Sequence, residues 1–347
     1  MAKRWRGALI GCGFFAPNHL HAWQANPAVD IVAICDLDKG KAQAMGGDFR
    51  VNAAYQDAAE MLDQQEVDFL DIVTTPPSHR ALVELGASHR KLVICQKPFA
   101  EALQDADAMI AACDSAHVPL LVHENFRWQR PFLEIAERLR QGVIGQPHSL
   151  RLTFHHAYDI YRAQPYLLQT ERLALMDVGL HLFDLVRVLM GEVRSIHCRT
   201  QRLKPSIRGE DSFVATLQHD SGISVVDCSF YSHRRVDLFP QTLALIEGTR
   251  GSLELMADYR LAENSDGVLT ETRVEPPVPA WGAKPWHVIQ DSVTNFQRHV
   301  IEVLEGRASA QPSGVHNRDT LALAFAAYQS AETNASIKIA QRTRTIL

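Results

Sequence analysis

The sequence predicts an α/β protein. We expect an N-terminal Rossmann domain with a doubly wound parallel sheet, and a C-terminal α+β domain with a large, mostly antiparallel open sheet. Three observations support this. The chain has 347 residues, more than one core of ordinary size holds. Apolar runs alternate with helical segments up to residue 123, and strand signals separated by turn residues dominate afterwards. We therefore place the domains at residues 1–123 and 124–347.

The prediction of the first domain rests on five runs that are largely apolar and not alternating, as in strands buried on both faces of a parallel sheet. These runs are Trp5–Ile10, Ile31–Cys35, Phe69–Thr74, Leu92–Cys95 and Leu120–His123. Helical segments are predicted at Leu37–Met45, His79–Ser88 and Leu103–Ala116. Such alternation is typical of right-handed strand–helix–strand units.

The second domain shows a different pattern. Helices are predicted at Pro131–Gln141, Leu175–Met190, Val288–Glu305 and Arg318–Thr333. Strands are predicted at Leu150–His156, Ile196–Arg202, Ser212–Gln218, Ser224–Phe230, Thr242–Glu247 and Ser252–Met256. Asp220-Ser221-Gly222 and Thr249-Arg250-Gly251 have the composition of hairpin turns, and residues 263–286 have that of a surface loop.

Composition and charge narrow the function classes. The net charge is −5, and no Lys/Arg-rich run is present, so we expect no nucleic-acid partner. No segment approaches the roughly 18 apolar residues of a membrane span, and the first residues do not resemble a signal peptide. The six cysteines are scattered without metal-ligand spacing. We expect a cytoplasmic protein with reduced cysteines and no metal site.

A glycine-rich motif follows the first strand and opens a helix. It reads Gly11-Cys12-Gly13-Phe14-Phe15-Ala16. Gly11 permits the tight turn, Gly13 lets the backbone approach a pyrophosphate, and Ala16 allows close packing of helix and strand. The helix N-terminus favours the phosphate charge. The motif predicts a dinucleotide site that includes Phe14 and Phe15.

Asp36 ends the second strand, 20 residues after Ala16. A carboxylate at this place accepts hydrogen bonds from the ribose hydroxyls and repels a 2′-phosphate, so we expect NAD rather than NADP. The alternative is that Asp36 only caps the next helix.

Two further clusters could carry chemistry. Lys97 in Gln96-Lys97-Pro98 follows a strand at its carboxyl end, where open α/β sheets bind ligands, although an isolated lysine there could be a solvated surface group. Asp177 and His181 are four residues apart at the start of a helix and share one face. A histidine suits removal of a hydroxyl proton, and a structural Asp–His pair is the alternative.

These motifs, in this order, resemble the glucose–fructose oxidoreductase/inositol dehydrogenase (Gfo/Idh/MocA) family. The resemblance covers nearly the whole chain. It extends to Thr75-Pro76-Pro77-Ser78-His79, His123-Glu124-Asn125-Phe126-Arg127, Asp184 and the Glu247–Gly251 hairpin. One position departs from the family's usual Glu-Lys-Pro, because Gln96 replaces the glutamate and removes a negative charge beside Lys97.

The resemblance implies roles for individual residues. Lys97 would contact the reacting hydroxyl and the cofactor, His181 would be the general base, and Asp177 would orient the substrate or the histidine. The nicotinamide side would be lined by Thr74, Thr75, Pro76, His79, Gln96 and Asn125. Substrate contacts would come from Lys97, Asn125, Arg127, Tyr158, Asp177 and His181.

The function expected from these residues is hydride transfer between a sugar or polyol carbon and NAD. Gln-Lys-Pro-Phe and His-Glu-Asn-Phe-Arg resemble a branch with D-apiose-type dehydrogenases, so an aldose oxidised at C1 to its lactone is the expected substrate. Alternatives within the fold are NAD-dependent glycosidases and dinucleotide-sensing regulators without enzymatic activity. The resemblance also implies a homo-oligomer, a dimer or tetramer built through the sheet of the second domain.

Overall fold

The computed structural model describes residues 3–340, so the outer limits of the predicted domains, residues 1 and 347, lie outside the described part. Contacts between Cα atoms group this part into two units. The first unit comprises residues 3–125, 279–281 and 290–321, and the second comprises 126–278, 282–289 and 322–340. The boundary near residue 123 remains a prediction.

The first unit is built on a six-stranded parallel sheet in the order β3-β2-β1-β4-β5-β6. Its strands are β1 (Trp5–Ile10), β2 (Val29–Cys35), β3 (Ala54–Tyr55), β4 (Phe69–Ile72), β5 (Leu92–Gln96) and β6 (Leu120–His123). This order is that of a Rossmann fold, whose direction of winding reverses between β1 and β4. The predicted fold class is confirmed.

Helices connect these strands as the apolar alternation predicts. They are α1 (Ala16–Gln24), α2 (Lys39–Phe49), α3 (Ala58–Gln64), α4 (His79–Ser88) and α5 (Leu103–Ala116). The core around the strands is apolar, with Leu9, Ile34 and Leu70 fully buried. The carboxyl-terminal parts of β1, β2, β4 and β5 are buried, so the ends of these strands are held in place. This matters because the predicted cofactor residues follow them.

The second unit contains a nine-stranded sheet in the order β14-β13-β12-β11-β7-β10-β9-β8-β15. Its strands are β7 (Pro147–His155), β8 (Ser195–Gln201), β9 (Ser212–Gln218), β10 (Ile223–Ser229), β11 (Leu243–Gly248), β12 (Gly251–Leu255), β13 (Arg260–Ser265), β14 (Val268–Arg273) and β15 (Ile337–Lys338). Among the described residues, neighbouring strands of this sheet run antiparallel, except for β7 and β10, which are parallel. The predicted mostly antiparallel sheet is confirmed.

One face of this sheet is covered, as the alternation along β9 shows. Phe213 and Leu217 are buried, whereas Val214 is 45% exposed. The helices of the remaining chain are α6 (Arg130–Arg140), α7 (Leu180–Met190), α8 (His287–Leu304) and α9 (Gly314–Thr333). Within the second unit, α7 packs on β7 and β10. No helix within residues 3–340 is long and apolar enough to cross a membrane.

The expectation of a loop over residues 263–286 is partly wrong. Strands β13 and β14 form an antiparallel hairpin that turns at Asp266 and Gly267, both with positive φ. All residues of β14 are exposed, including Val268 and Leu269. An edge strand with two solvated faces lacks the alternation of apolar and polar residues from which strands are predicted.

Candidate active site

The glycine turn after β1 has the geometry that the sequence motif requires. Gly11 has φ +101°, and a Cβ there would lie 2.8 Å from Cγ2 of Thr74. A Cβ on Gly13 would meet no atom within 4 Å, so the backbone at Gly13 is open to a ligand. Helix α1 then starts at Ala16, and no side chain caps it. The turn therefore offers backbone N–H groups to an anion.

Asp36 links the end of β2 to this turn. Its Oδ2 accepts a hydrogen bond from the Cys12 N–H at 2.7 Å, and its Oδ1 accepts one from the Asp38 N–H at 2.9 Å. The cap of α2 is Asp38, whose Oδ1 accepts from the N–H groups of Gly40 and Lys41. The residue that caps α2 is therefore Asp38 and not Asp36. Each oxygen of Asp36 keeps a lone pair for a further donor.

Two exposed apolar side chains flank these polar groups. Leu37 is 85% exposed directly after Asp36, and Phe14 is 48% exposed directly after Gly13. Phe15, by contrast, packs on the core of the first unit and on the ring of His19. Glycine backbone for a pyrophosphate, a carboxylate for ribose hydroxyls and apolar surface for a purine together fit a dinucleotide.

The segment after β4 is braced by His79. Its ring is fully buried, with Nδ1 3.1 Å from the Phe99 carbonyl oxygen and Nε2 3.1 Å from that of Thr74. Burial lowers the pKa of His79, against a smaller opposing effect of these backbone hydrogen bonds. Ser78 donates its hydroxyl to Oγ1 of Thr74 at 2.7 Å. The short 3-10 turn Pro76–Ser78 that follows Thr75 is therefore held at both ends.

Gln96 and Lys97 lie at the carboxyl end of β5. Oε1 of Gln96 accepts from the Lys97 N–H at 2.8 Å, and Nε2 of Gln96 lies 3.3 Å from Nε2 of His19. Lys97 itself is only partly exposed, which does not match a freely solvated lysine. After β6, the amide of Asn125 donates to Oγ of Ser292 at 2.8 Å.

In the second unit, Asp177 lies in a π-helical turn, Leu175–Gly179, that continues into α7. The prediction had one regular helix here. Glu210 anchors the turn, because its carboxylate accepts from the N–H of Leu175 at 2.9 Å and from the Tyr328 hydroxyl at 2.7 Å. π-Helical turns often occur at functional sites, where they redirect one side chain.

His181, in the first turn of α7, is 4% exposed. Its ring stacks on Phe126 with centroids 4.0 Å apart and planes 3° from parallel. Arg127, which directly follows Phe126, forms a buried ion pair with Asp184 of α7. Its Nε lies 2.7 Å from Oδ2 and its Nη2 lies 2.5 Å from Oδ1. The turn before α6 thus fixes the ring plane of His181.

An aromatic cluster follows β7 in the same unit. Tyr158, 42% exposed, stacks on Phe239 with centroids 4.4 Å apart, and Trp286 packs edge-on against Phe239. His156 is buried beneath them between Phe239 and Phe230. Burial lowers the pKa of His156 to about 4, so this ring is neutral at neutral pH.

Some of these features were not visible in the sequence. The pairing of His19 with Asp71, and the contact of Phe239 with Tyr158, join residues 52 and 81 positions apart. No role could be assigned to His19, Asp71 or Phe239 from the sequence, since a lone histidine or phenylalanine is most often a packing group. Across residues 3–340, no group of three or more histidine, cysteine, aspartate or glutamate residues could hold a metal ion.

Comparison with known families matches both parts of the chain. Residues 5–124 match the family described as an oxidoreductase family with an NAD-binding Rossmann fold, Gfo/Idh/MocA. Residues 132–254 match the Gfo/Idh/MocA C-terminal domain. Together the two matches cover well over half of the chain.

Individual relatives are similar over almost the whole length. A D-apiose dehydrogenase of Paraburkholderia graminis is 48% identical over 97% of this chain and 90% of its own. A D-apiose dehydrogenase of Rhizobium rhizogenes is 42% identical over 96% and 97%, respectively. A solved oxidoreductase of Agrobacterium radiobacter, in complex with NAD+, L-tartaric acid and magnesium, is 41% identical, with a TM-score of 0.95 over 97% of this chain and 99% of that one.

Proposed function

The chain belongs to the Gfo/Idh/MocA family of NAD-binding oxidoreductases, and from this membership we propose that it is an NAD-dependent D-apiose dehydrogenase. The product would be the lactone formed by oxidation at C1. The observation that carries this proposal is the 48% identity to a D-apiose dehydrogenase over 97% of the chain. A second D-apiose dehydrogenase at 42% supports the same substrate, whereas a myo-inositol 2-dehydrogenase of Thermotoga maritima is only 27% identical.

The proposed chemistry uses Lys97, Asp177 and His181. Bound NAD would supply the acceptor for the hydride that leaves C1 of the sugar. Lys97 donates a hydrogen bond to the C1 oxygen and stabilises its developing charge. His181 takes the hydroxyl proton, and Asp177 orients the histidine or a second hydroxyl. The stacking of His181 on Phe126 supports this role, because it limits the ring to one plane.

The remaining assigned residues are proposed to bind the cofactor and the sugar. The glycine turn with Gly11, Gly13 and Phe14 would hold the pyrophosphate end, and Asp36 would select NAD. Phe15 would support the turn from the core. On the nicotinamide side we retain Thr74, Thr75, Pro76, His79, Gln96 and Asn125, and on the sugar side Asn125, Arg127 and Tyr158. The partly exposed Tyr158 offers a flat apolar face of the kind that packs on a sugar's C–H groups.

A substrate screen tests the proposal. The purified full-length chain is assayed for NADH formation with D-apiose, other aldoses, myo-inositol and levoglucosan. We expect the highest kcat/KM with D-apiose and no reaction without added NAD. Turnover of D-apiose no better than that of myo-inositol would refute the substrate assignment, and no NADH with any sugar would refute the proposed function.

Variants test the catalytic residues. Lys97→Ala and His181→Ala should each reduce kcat by about 100-fold or more, a larger effect than on the Kd for NAD. Lys338→Ala and His148→Ala are matched controls, because both residues are exposed. If either Lys97→Ala or His181→Ala retained substrate-dependent NAD reduction, its assigned role would be wrong.

We also propose that the enzyme is a cytoplasmic homo-oligomer, a dimer or tetramer. All six cysteines are buried and free, as in proteins of reducing compartments. The uncovered face of the second sheet exposes Val214 and Ile223, which a second copy could bury. Light scattering of wild type, Val214→Arg and the exposed-residue control Leu203→Arg tests the assembly. Only Val214→Arg should reduce the mass, and fractionation of cells expressing the chain tests the compartment.

A further inference from the structure

A chain of buried polar groups lies beneath the end of β5 in the first unit. Asp71 on β4 and His19 on α1 are 0% and 1% exposed, and Gln96 is 8% exposed. Nδ1 of His19 lies 2.8 Å from Oδ2 of Asp71, and Nε2 of His19 lies 3.3 Å from Nε2 of Gln96. Burying a carboxylate is costly unless it is well paired, so a pure packing role would favour apolar side chains at these positions.

The direction of each hydrogen bond follows from one fixed contact. Oε1 of Gln96 accepts from the Lys97 N–H at 2.8 Å, which turns the amide NH2 of Gln96 toward His19. An amide nitrogen only donates, so Nε2 of His19 must accept. The proton of a neutral His19 ring is then on Nδ1, where it is donated to Asp71. One orientation of the Gln96 amide and the His19 ring makes the contacts from Lys97 to Gln96, His19 and Oδ2 of Asp71 mutually consistent.

The network is held from several sides. Nε1 of Trp23 also donates to Oδ2 of Asp71, at 2.7 Å. The His123 ring of β6 lies 4.2 Å from the His19 ring, and Gln297 of α8 donates to the His19 carbonyl oxygen at 3.0 Å. Two titratable groups, Asp71 and His123, lie against His19. Such support leaves the carboxamide of Gln96 little freedom to rotate.

We propose that Asp71, His19 and Gln96 form a positioning relay that fixes the backbone of Lys97. The relay rests on the proposed function, since it places the lysine that we assign to catalysis. It also assigns a purpose to the glutamine that replaces the family's usual glutamate. A carboxylate at position 96 would turn an acceptor toward the accepting Nε2 of His19, whereas the amide completes the relay without an additional proton.

The wild-type protein gives the first test, and it needs neither cofactor nor substrate. Full-length protein labelled with ¹⁵N-histidine is examined by NMR at pH 8, with the His19 signals identified by their loss in His19→Gln. We expect His19 to be neutral and protonated on Nδ1. A proton on Nε2, or on both nitrogens, would overturn the relay.

A matched pair of variants gives the second test. In His19→Gln the side-chain oxygen can still accept from Gln96, whereas in His19→Met a chain of similar size cannot. Hydrogen exchange of the peptide 92–100, measured without NAD, should be faster in His19→Met than in wild type or His19→Gln. Among the described residues of this peptide, the Lys97 N–H is the only backbone N–H that donates a hydrogen bond to the Gln96 side chain.

Activity completes the test and separates the two proposals. We expect kcat to fall by about ten- to a hundredfold in His19→Met, with KM for NAD nearly unchanged, and to recover in His19→Gln. His219→Met is the control, because His219 is a buried histidine hydrogen-bonded elsewhere, to Ser224 and Glu192. Equal kcat and equal exchange in His19→Met and His19→Gln would overturn the relay. An inactive wild type with the expected tautomer and exchange would instead refute the proposed function.

Discussion

The carboxylate of Asp36 and the backbone N–H of Cys12 form a 2.7 Å hydrogen bond that joins the end of β2 to the glycine turn. The side chain therefore has two tasks. It braces the turn, and its remaining lone pairs with their negative charge are available for a ribose. The two tasks can be separated, because an asparagine oxygen can still accept from Cys12.

Cofactor preference provides the first prediction. Asp36→Asn should reduce the ratio of kcat/KM for NAD to that for NADP by about ten- to a hundredfold, since juxtaposing like charges costs up to several kcal/mol. Steady-state kinetics with both cofactors measures the ratio. Asp38→Asn is the control, because asparagine also caps helices well and Asp38 caps α2. An unchanged ratio in Asp36→Asn would remove Asp36 from cofactor selection.

The buried pair of Arg127 and Asp184 provides the second prediction. Arg127→Met removes the Arg127 side of a buried ion pair with Asp184 and should lower the free energy of unfolding by about 3–5 kcal/mol. The double variant Arg127→Met/Asp184→Leu should recover most of this loss, because two apolar groups replace the pair. Chemical denaturation measures both variants.

The same double variant decides whether Arg127 also contacts the sugar. Both Nε and Nη2 of Arg127 are directed to Asp184, so its guanidinium already has a structural role. A stable double variant with a raised KM for sugar would support substrate contact. A stable double variant with the wild-type KM would assign Arg127 to the fold alone.

The third prediction concerns acid stability and His156. Burial lowers the pKa of His156 to about 4, whereas the same ring in the unfolded chain titrates near its ordinary value of 6.5. Below pH 6.5 the unfolded state therefore binds more protons than the folded state. Folding stability should fall between about pH 6.5 and 4, by on the order of 3 kcal/mol from this group.

His156→Phe tests this linkage, because its neighbours Phe154, Phe230 and Phe239 are already aromatic. The difference in unfolding free energy between variant and wild type should shift in favour of the variant as pH falls from 7 to 4. A constant difference for His156→Phe across this range would mean that His156 does not titrate as described.

Local sequence signals predicted much of the first unit. A strand buried on both faces is largely apolar, so the bounds of β1 and β6 could be predicted to the residue. Gly11 was equally predictable, because its positive φ and its close approach to Thr74 exclude a Cβ. These features depend on residues near one another in the chain or on backbone geometry that few residue types adopt.

Features that depend on distant partners could not be predicted in this way. The stacking of Phe126 on His181 and the pairing of His19 with Asp71 bring together residues more than 50 positions apart. The π-helical turn at Asp177 depends on Glu210 and Tyr328, which lie 33 and 151 positions further along the chain. A single sequence records the residue types at these positions but not their pairing.

The last prediction uses the departure from the family at position 96. In Gln96→Glu, one carboxylate oxygen can still accept from the Lys97 N–H, but the other faces Nε2 of His19, which is also an acceptor. The contact needs one more proton than the wild-type contact does, and the carboxylate introduced at position 96 can carry it. We expect kcat of this variant to approach the wild-type value at low pH and to decline as pH rises and that proton is lost.

The kcat–pH profiles of wild type, Gln96→Glu and Gln96→Met measure this effect. Wild type should lack the additional decline, because its amide supplies the donor at every pH. Gln96→Met should have a reduced kcat across the whole range, since it neither donates to His19 nor accepts from Lys97. Coinciding profiles for Gln96→Glu and wild type would show that the amide at position 96 is not what completes the hydrogen bond to His19. That result would contradict the relay, because the relay requires the amide of Gln96 to donate to His19.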